Sequence, residues 1–121
     1  VKIREIQMAQ NIANNGVSYE NALYYDPKFH TMLRDHLINI RQSVGTQPMV
    51  FDANVAHHAK GDLYMAFRQS GLSPKYWWIT MIINNITSPE QYDGERTNFV
   101  LPDIDYIDDL YRMFNTVDGN I

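Results

Sequence analysis

The side chains that could do chemistry fall into three groups. Asp103, Asp105, Asp108 and Asp109 form the densest acidic cluster. Paired carboxylates can share acid–base work where a pocket separates their pKa values. An EF-hand would need a central glycine and a glutamate at the twelfth loop position, and neither is present. Helix capping explains four acids around a helix start more simply. His57-His58, flanked by Asp52 and Asp62, is the second group. Zinc wants three or four converging ligands, whereas adjacent side chains point apart on a helix or a strand. They read as loop histidines, solvated or at an interface. His30 and His36 share no helical face, and His36 borders an apolar stripe. Trp77-Trp78 is the third group, a sugar platform or an interface anchor. Neighbours on a helix lie about 100° apart. One indole is therefore expected in the core and the other partly available. The serines lack a Gly-x-Ser-x-Gly setting, and no phosphate-binding glycine loop exists. Asn85-Ile86-Thr87 is formally a glycosylation sequon, which matters only in a secreted eukaryotic chain.

The elements that must position these groups follow from local pattern. Ile3, Ile6, Ala9 and Ile12 suggest a thin amphipathic helix stopped by Asn14-Asn15-Gly16. Asp26-Pro27 starts a better one, with Phe29, Met32, Leu33, His36, Leu37 and Ile40 on one face to about Arg41. Met49-Val50-Phe51 is a short strand candidate. Gly61-Asp62 precedes a helix over 62–69, capped by its acid and closed by Gly71. Ser73-Pro74 opens a second helix over 74–85. Its body from Tyr76 to Ile83 is apolar nearly all round, so it must be the core element. Asn84-Asn85 end it by adopting the left-handed conformation. Asn98-Phe99-Val100-Leu101 is a strand closed by Pro102. Asp103 or Asp105 then caps a helix bearing Ile107, Leu110, Tyr111 and Phe114 on one face, and the tail from Val117 frays. The order strand, helix, helix, strand would bring Val50 and Val100 side by side.

At this point the residues suggest more than their pattern. Gly61-Asp62-Leu63-Tyr64 resembles the G-D-x-L-W opening of the first helix in LysM modules, with one spacer residue missing. Asn84-Asn85-Ile86 resembles the L-N-N-I end of their second helix, and Phe99-Val100-Leu101-Pro102 their closing strand. Tyr76-Trp77-Trp78 followed by Asn84-Asn85-Ile86 and Pro89 is similar to a signature of LysM-like baseplate wedge proteins in contractile-tailed bacteriophages. The resemblance covers roughly residues 48–103. It implies an α+β fold with a small LysM-like βααβ core (46–103), an N-terminal helical arm (1–45) and a C-terminal helix and tail (104–121). It also implies a structural role in the virion: a tail or baseplate subunit made in the host cytoplasm, joining neighbouring tail proteins without catalysis or cofactor. In that reading Tyr76, Trp77, Trp78, Asn84 and Asn85 shape the core and its exposed rim. The flanking apolar helical faces either cover the core or meet partners. The alternative is a glycan-binding LysM module, with N-acetylglucosamine polymers lying against the loops 56–61 and 86–96.

Composition sets the outer bounds. The 121 residues fit one domain, and 45% hydrophobic against 20% charged residues argues for a folded chain. The absence of cysteine removes disulfides, thiolate metal sites and thiol nucleophiles. The net charge of −4 resides in residues 46–121, while 1–45 is near neutral. An acidic second half without a Lys/Arg cluster is repelled by phosphate backbones, so nucleic acid is not expected as a partner. The longest apolar run is far short of the roughly 20 residues that span a bilayer, so no membrane role is expected, and VKIREIQMAQ has no continuous apolar h-region, so no signal peptide is expected.

Overall fold

A computed structural model describes residues 23–116. The readings of a helix over 3–13, its Asn-Asn-Gly stop and the tail from Val117 lie outside the described residues. The fold is α+β. In chain order it contains α1 (Pro27–Asp35), α2 (Leu37–Gln42), β1 (Gln47–Val50), α3 (Ala53–His58), α4 (Leu63–Gln69), a 3-10 turn (Pro74–Tyr76) and α5 (Trp77–Ile83). A second 3-10 turn (Pro89–Gln91), β2 (Asn98–Leu101) and α6 (Ile104–Phe114) follow.

The single helix expected from Asp26 to Arg41 is two. Asp26 caps α1 by accepting from the Lys28 N–H at 2.8 Å, and Pro27 holds its first position. At His36 the ring Nδ1 reaches the Met32 carbonyl at 2.9 Å, sharing it with the helix's own i→i−4 bond. The His36 N–H reaches that carbonyl at 3.2 Å and the Leu33 carbonyl at 3.1 Å, so the last turn tightens. His36 leaves helical geometry at φ −104° and ψ 13°, and α2 restarts one residue on. The apolar stripe still faces inward, with Phe29, Leu33 and Ile40 buried.

The ribbon of β1 and β2 is antiparallel, pairing Met49 with Phe99 and Gln47 with Leu101. The first strand thus begins two residues earlier than its apolar run. Val50 and Val100 are not side by side: Val50 faces Asn98, and Pro48 faces Val100. Register follows the inward side chains, since a slip of one residue would turn buried Phe99 outward. Both valines lie on the outer face, two positions apart.

Between the strands stand three helices rather than two. The expected loop after β1 contains α3, whose first turn is capped by Asp52 accepting from the Asn54 N–H at 2.8 Å. Six residues are too few for a period to register, and only Ala56 of α3 is buried. Beyond it, Gly61 has φ +77° and donates to the Tyr92 carbonyl at 2.9 Å, tying the 56–61 loop to the 86–96 loop. Asp62 does not cap α4, because its side chain makes no capping bond. Gly71, at φ +84°, ends α4 as expected, and the Leu72 N–H returns to the Phe67 carbonyl. Ser73-Pro74 opens a 3-10 turn, again without a side-chain cap, and α5 begins only at Trp77.

Helix α5 divides the interior. Ile79 and Ile83 join Tyr24, Phe29, Leu33, Ile40, Tyr76 and the inner face of α6. Met81 and Ile82 join Phe51, Leu63, Phe67, Tyr92 and Phe99 under the ribbon. The apolar faces of α1, α2 and α6 are therefore spent on the body itself. Thr80 is fully buried on the same helix, and its hydroxyl has no partner. Replacing that hydroxyl by a methyl removes an uncompensated desolvation cost. Thr80→Val is expected to stabilise the fold by about 1 kcal/mol, read as a raised denaturation midpoint with unchanged m.

Candidate functional site

The signature residues are gathered around the two ends of α5. At its C-terminal end, Asn84 is 1% exposed. Its amide donates to the Thr80 carbonyl at 2.6 Å and to the Val100 carbonyl at 2.9 Å. Its side-chain oxygen accepts from the Val100 N–H at 2.9 Å and from Arg96 at 3.1 Å. Asn84 thus fills its full complement of four hydrogen bonds and occupies the place of a third strand beside Val100. Arg96 also donates to the Asn84 carbonyl and to the Asn98 carbonyl, and its guanidinium lies 4.4 Å from the Phe99 ring centroid. Asn85 takes φ +67° and ends the helix, with the Ile86 N–H returning to the Met81 carbonyl at 3.2 Å. Its side chain accepts from Arg41 at 2.8 Å, linking α2 to the same end.

At the N-terminal end both indoles are half-buried, on different sides of the helix, so the expected division into one core and one available tryptophan does not hold. Trp77 donates its ring N–H to the Leu72 carbonyl at 2.8 Å and packs on Tyr64 at 5.3 Å, with Arg68 over its ring. Trp78 stacks on His30, with centroids 4.0 Å apart and planes 1° from parallel, and Arg34 lies 5.2 Å from its centroid. Burial first, and then the positive charge of Arg34, hold the His30 pKa below its ordinary value against the pull of the Tyr24 carbonyl and Asp26. The unfolded chain takes up this proton first. Stability is thus full above an unfolded pKa of 6.5 and falls with pH below it. Denaturation midpoints between pH 7.5 and 5.5 should show this decline, and His30→Gln should make the profile flatter; equal slopes would refute it.

The remaining predicted residues serve structure. Leu63 is fully buried, Pro102 is buried behind β2, and Asp62 is exposed and joins no other member of the set. The acidic cluster is dispersed. Asp103 caps α6 through the Tyr106 N–H and accepts from the Ser43 hydroxyl at 2.5 Å, the main reason that its carboxyl sits below the ordinary range. Asp105 is exposed in the first turn, and Asp109 pairs with Arg112. Asp108 is half-buried and gathers two tyrosines. Its Oδ1 accepts from the Tyr24 and Tyr76 hydroxyls at 2.6 and 2.7 Å. Tyr24 stacks on Tyr111 at 3.7 Å, and Lys75 lies 5.0 Å from the Tyr24 ring centroid. Sequence reasoning missed Asp108 and Arg96 as organising residues. The one available signal was the place of Asp108 at the edge of the α6 apolar face, next to Ile107.

His57 and His58 end α3 with ring centroids 6.0 Å apart, and His58 bonds to the Asn54 carbonyl within its own helix. Among the described residues no group of three or more His, Asp or Glu could hold a metal ion, and no helix is long and apolar enough to cross a membrane. Comparison with known protein families, characterised proteins and solved structures finds no match to this chain.

Proposed function

We propose that the chain is a structural component of a contractile phage tail or baseplate, acting in the virion by joining neighbouring tail proteins, without catalysis or cofactor. The observation that carries the reading is the use made of the Tyr-Trp-Trp and Asn-Asn-Ile signature. Asn84 and Asn85 lock α5 to β2 and to α2, while Trp77 and Trp78 remain half-buried beside Arg68 and Arg34. Tryptophan and arginine held rigid at a surface are the residues on which protein interfaces concentrate their energy.

A glycan-binding role is the second reading, supported by the junction of the 56–61 and 86–96 loops through Gly61 and Tyr92. Two measurements separate the proposals. Immobilised protein is challenged with purified proteins of a contractile phage tail, and calorimetry is run with N-acetylglucosamine oligomers. Retention of a tail protein, reduced by Trp78→Ala, with no heat from the oligomers, supports the structural role. Saturable oligomer binding, or a folded chain that retains no tail protein, overturns it.

A further inference from the structure

The two edges of the ribbon are chemically unequal. Met49 pairs with Phe99 and Gln47 with Leu101, and the Phe51 N–H continues the ladder to the Thr97 carbonyl at 2.9 Å. By the alternation of an antiparallel pair, the backbone groups of Asn98 and Val100 turn outward on β2, and those of Pro48 and Val50 turn outward on β1. Three of the four outward groups of β2 are taken from within, both of Val100 by Asn84 and the Asn98 carbonyl by Arg96, which closes most of that edge. The β1 edge has no such cover among the described residues. It presents the Pro48 carbonyl, the Val50 N–H and carbonyl, and, one step past the strand, the Asp52 N–H. The Asp52 carbonyl is already occupied by the Ala56 N–H at 3.0 Å.

This sequence of groups is self-complementary. A second β1 laid antiparallel with Val50 opposite Val50 exchanges two N–H···O bonds at the centre. The Asp52 N–H of each copy then meets the Pro48 carbonyl of the other. Proline ordinarily blunts an edge by removing a donor. Here the donor that Pro48 lacks would face the Asp52 carbonyl, which already accepts from the Ala56 N–H, so no acceptor is left without a partner. Gln47-Pro48-Met49-Val50 carries no charge to repel its own copy, and Val50, 66% exposed, would gain a cross-strand partner. We infer that β1 is a homotypic docking edge, whose occupant is the β1 of a second copy of this chain, in a two-fold four-stranded sheet ordered β2-β1-β1-β2. The pairing rests on β1 itself and not on the tail-protein reading.

The test is sedimentation velocity of the 121-residue chain across a concentration series, with hydrogen exchange on the same samples. A concentration-dependent dimer is expected, with the Val50 and Asp52 amides slowed about tenfold in the concentrated sample. Val50→Lys places like charges opposite each other and should abolish the dimer, whereas Asn98→Lys on the closed edge should keep it. Because the chain has no cysteine, Val50→Cys provides a further readout: opposed Cα atoms about 5.5 Å apart are within disulfide reach, so mild oxidation should link the dimer covalently. A chain that is monomeric throughout, amides protected equally at every dilution, or a Val50→Lys dimer as stable as the parent's would overturn the inference. A dimer that retains no tail protein overturns only the proposed function.

Discussion

Asn84→Ala is expected to cost about 3 kcal/mol, within the range for removing one side of a buried hydrogen-bond network. The mutation orphans the Thr80 carbonyl, both backbone groups of Val100 and one arm of Arg96, all of which the single amide now satisfies. Water cannot readily replace it, because the site lies between α5 and β2 at 1% exposure. For a domain of about 100 residues, this loss corresponds to a fall in Tm of about 10–20 °C. Asn84→Asp is a sharper probe. It keeps the acceptor for Arg96 and the Val100 N–H but sets a carboxylate against two carbonyls, so it should be no better tolerated than alanine. Combining Asn84→Ala with Arg96→Ala should cost less than the two single changes added together, since they share a bond. An Asn84→Ala protein within 1 kcal/mol of the parent would mean that the amide does not hold the β2 edge.

Asp108→Ala is the second large effect, about 3 kcal/mol, because two charge-assisted hydrogen bonds from buried phenols are lost together. Asp108→Asn, which keeps a neutral acceptor, should cost roughly half as much. The same node predicts an alkaline limit to stability. Burial first, and then the hydrogen bond to Asp108 and its charge, raise the pKa of both Tyr24 and Tyr76 above their ordinary value of 10.0. A raised folded-state pKa contributes stability that is complete below the unfolded value and declines as pH rises above it. Urea denaturation should therefore give a plateau through neutral pH and a decline beginning near pH 10, shallower in Tyr24→Phe and Tyr76→Phe. A decline of equal steepness in both phenylalanine variants would remove these tyrosines as its source.

Much of the fold was legible in short stretches. Asp26-Pro27, Gly71 and Asn85 act where the pattern places them, because a cap or a left-handed residue answers to groups within one helical turn. The face of α6 was legible for the same reason, with four apolar residues at helical spacing. The misreadings have local causes too. Helix α3 is too short to show a period, and His36 interrupts its helix through a change of backbone angle that apolar spacing does not register. Asp62 has the right residue type to cap, but at φ −151° and ψ 80° its side chain makes no bond to the α4 amides.

The candidate site divides along the same line. Residue order alone determined that a nearly all-apolar helix bearing Tyr76-Trp77-Trp78 and ending in Asn84-Asn85 must lie at the centre, because only burial on several sides makes such a helix soluble. Only the tertiary structure decided what those residues hold. Asn84 meets Val100 across 16 positions and Tyr24 meets Asp108 across 84, so each pairing depends on the path of the whole chain. The ribbon register was settled in the same way. Inward packing of Met49 and Phe99 put Pro48 opposite Val100, which left one strand edge closed by Asn84 and the other open.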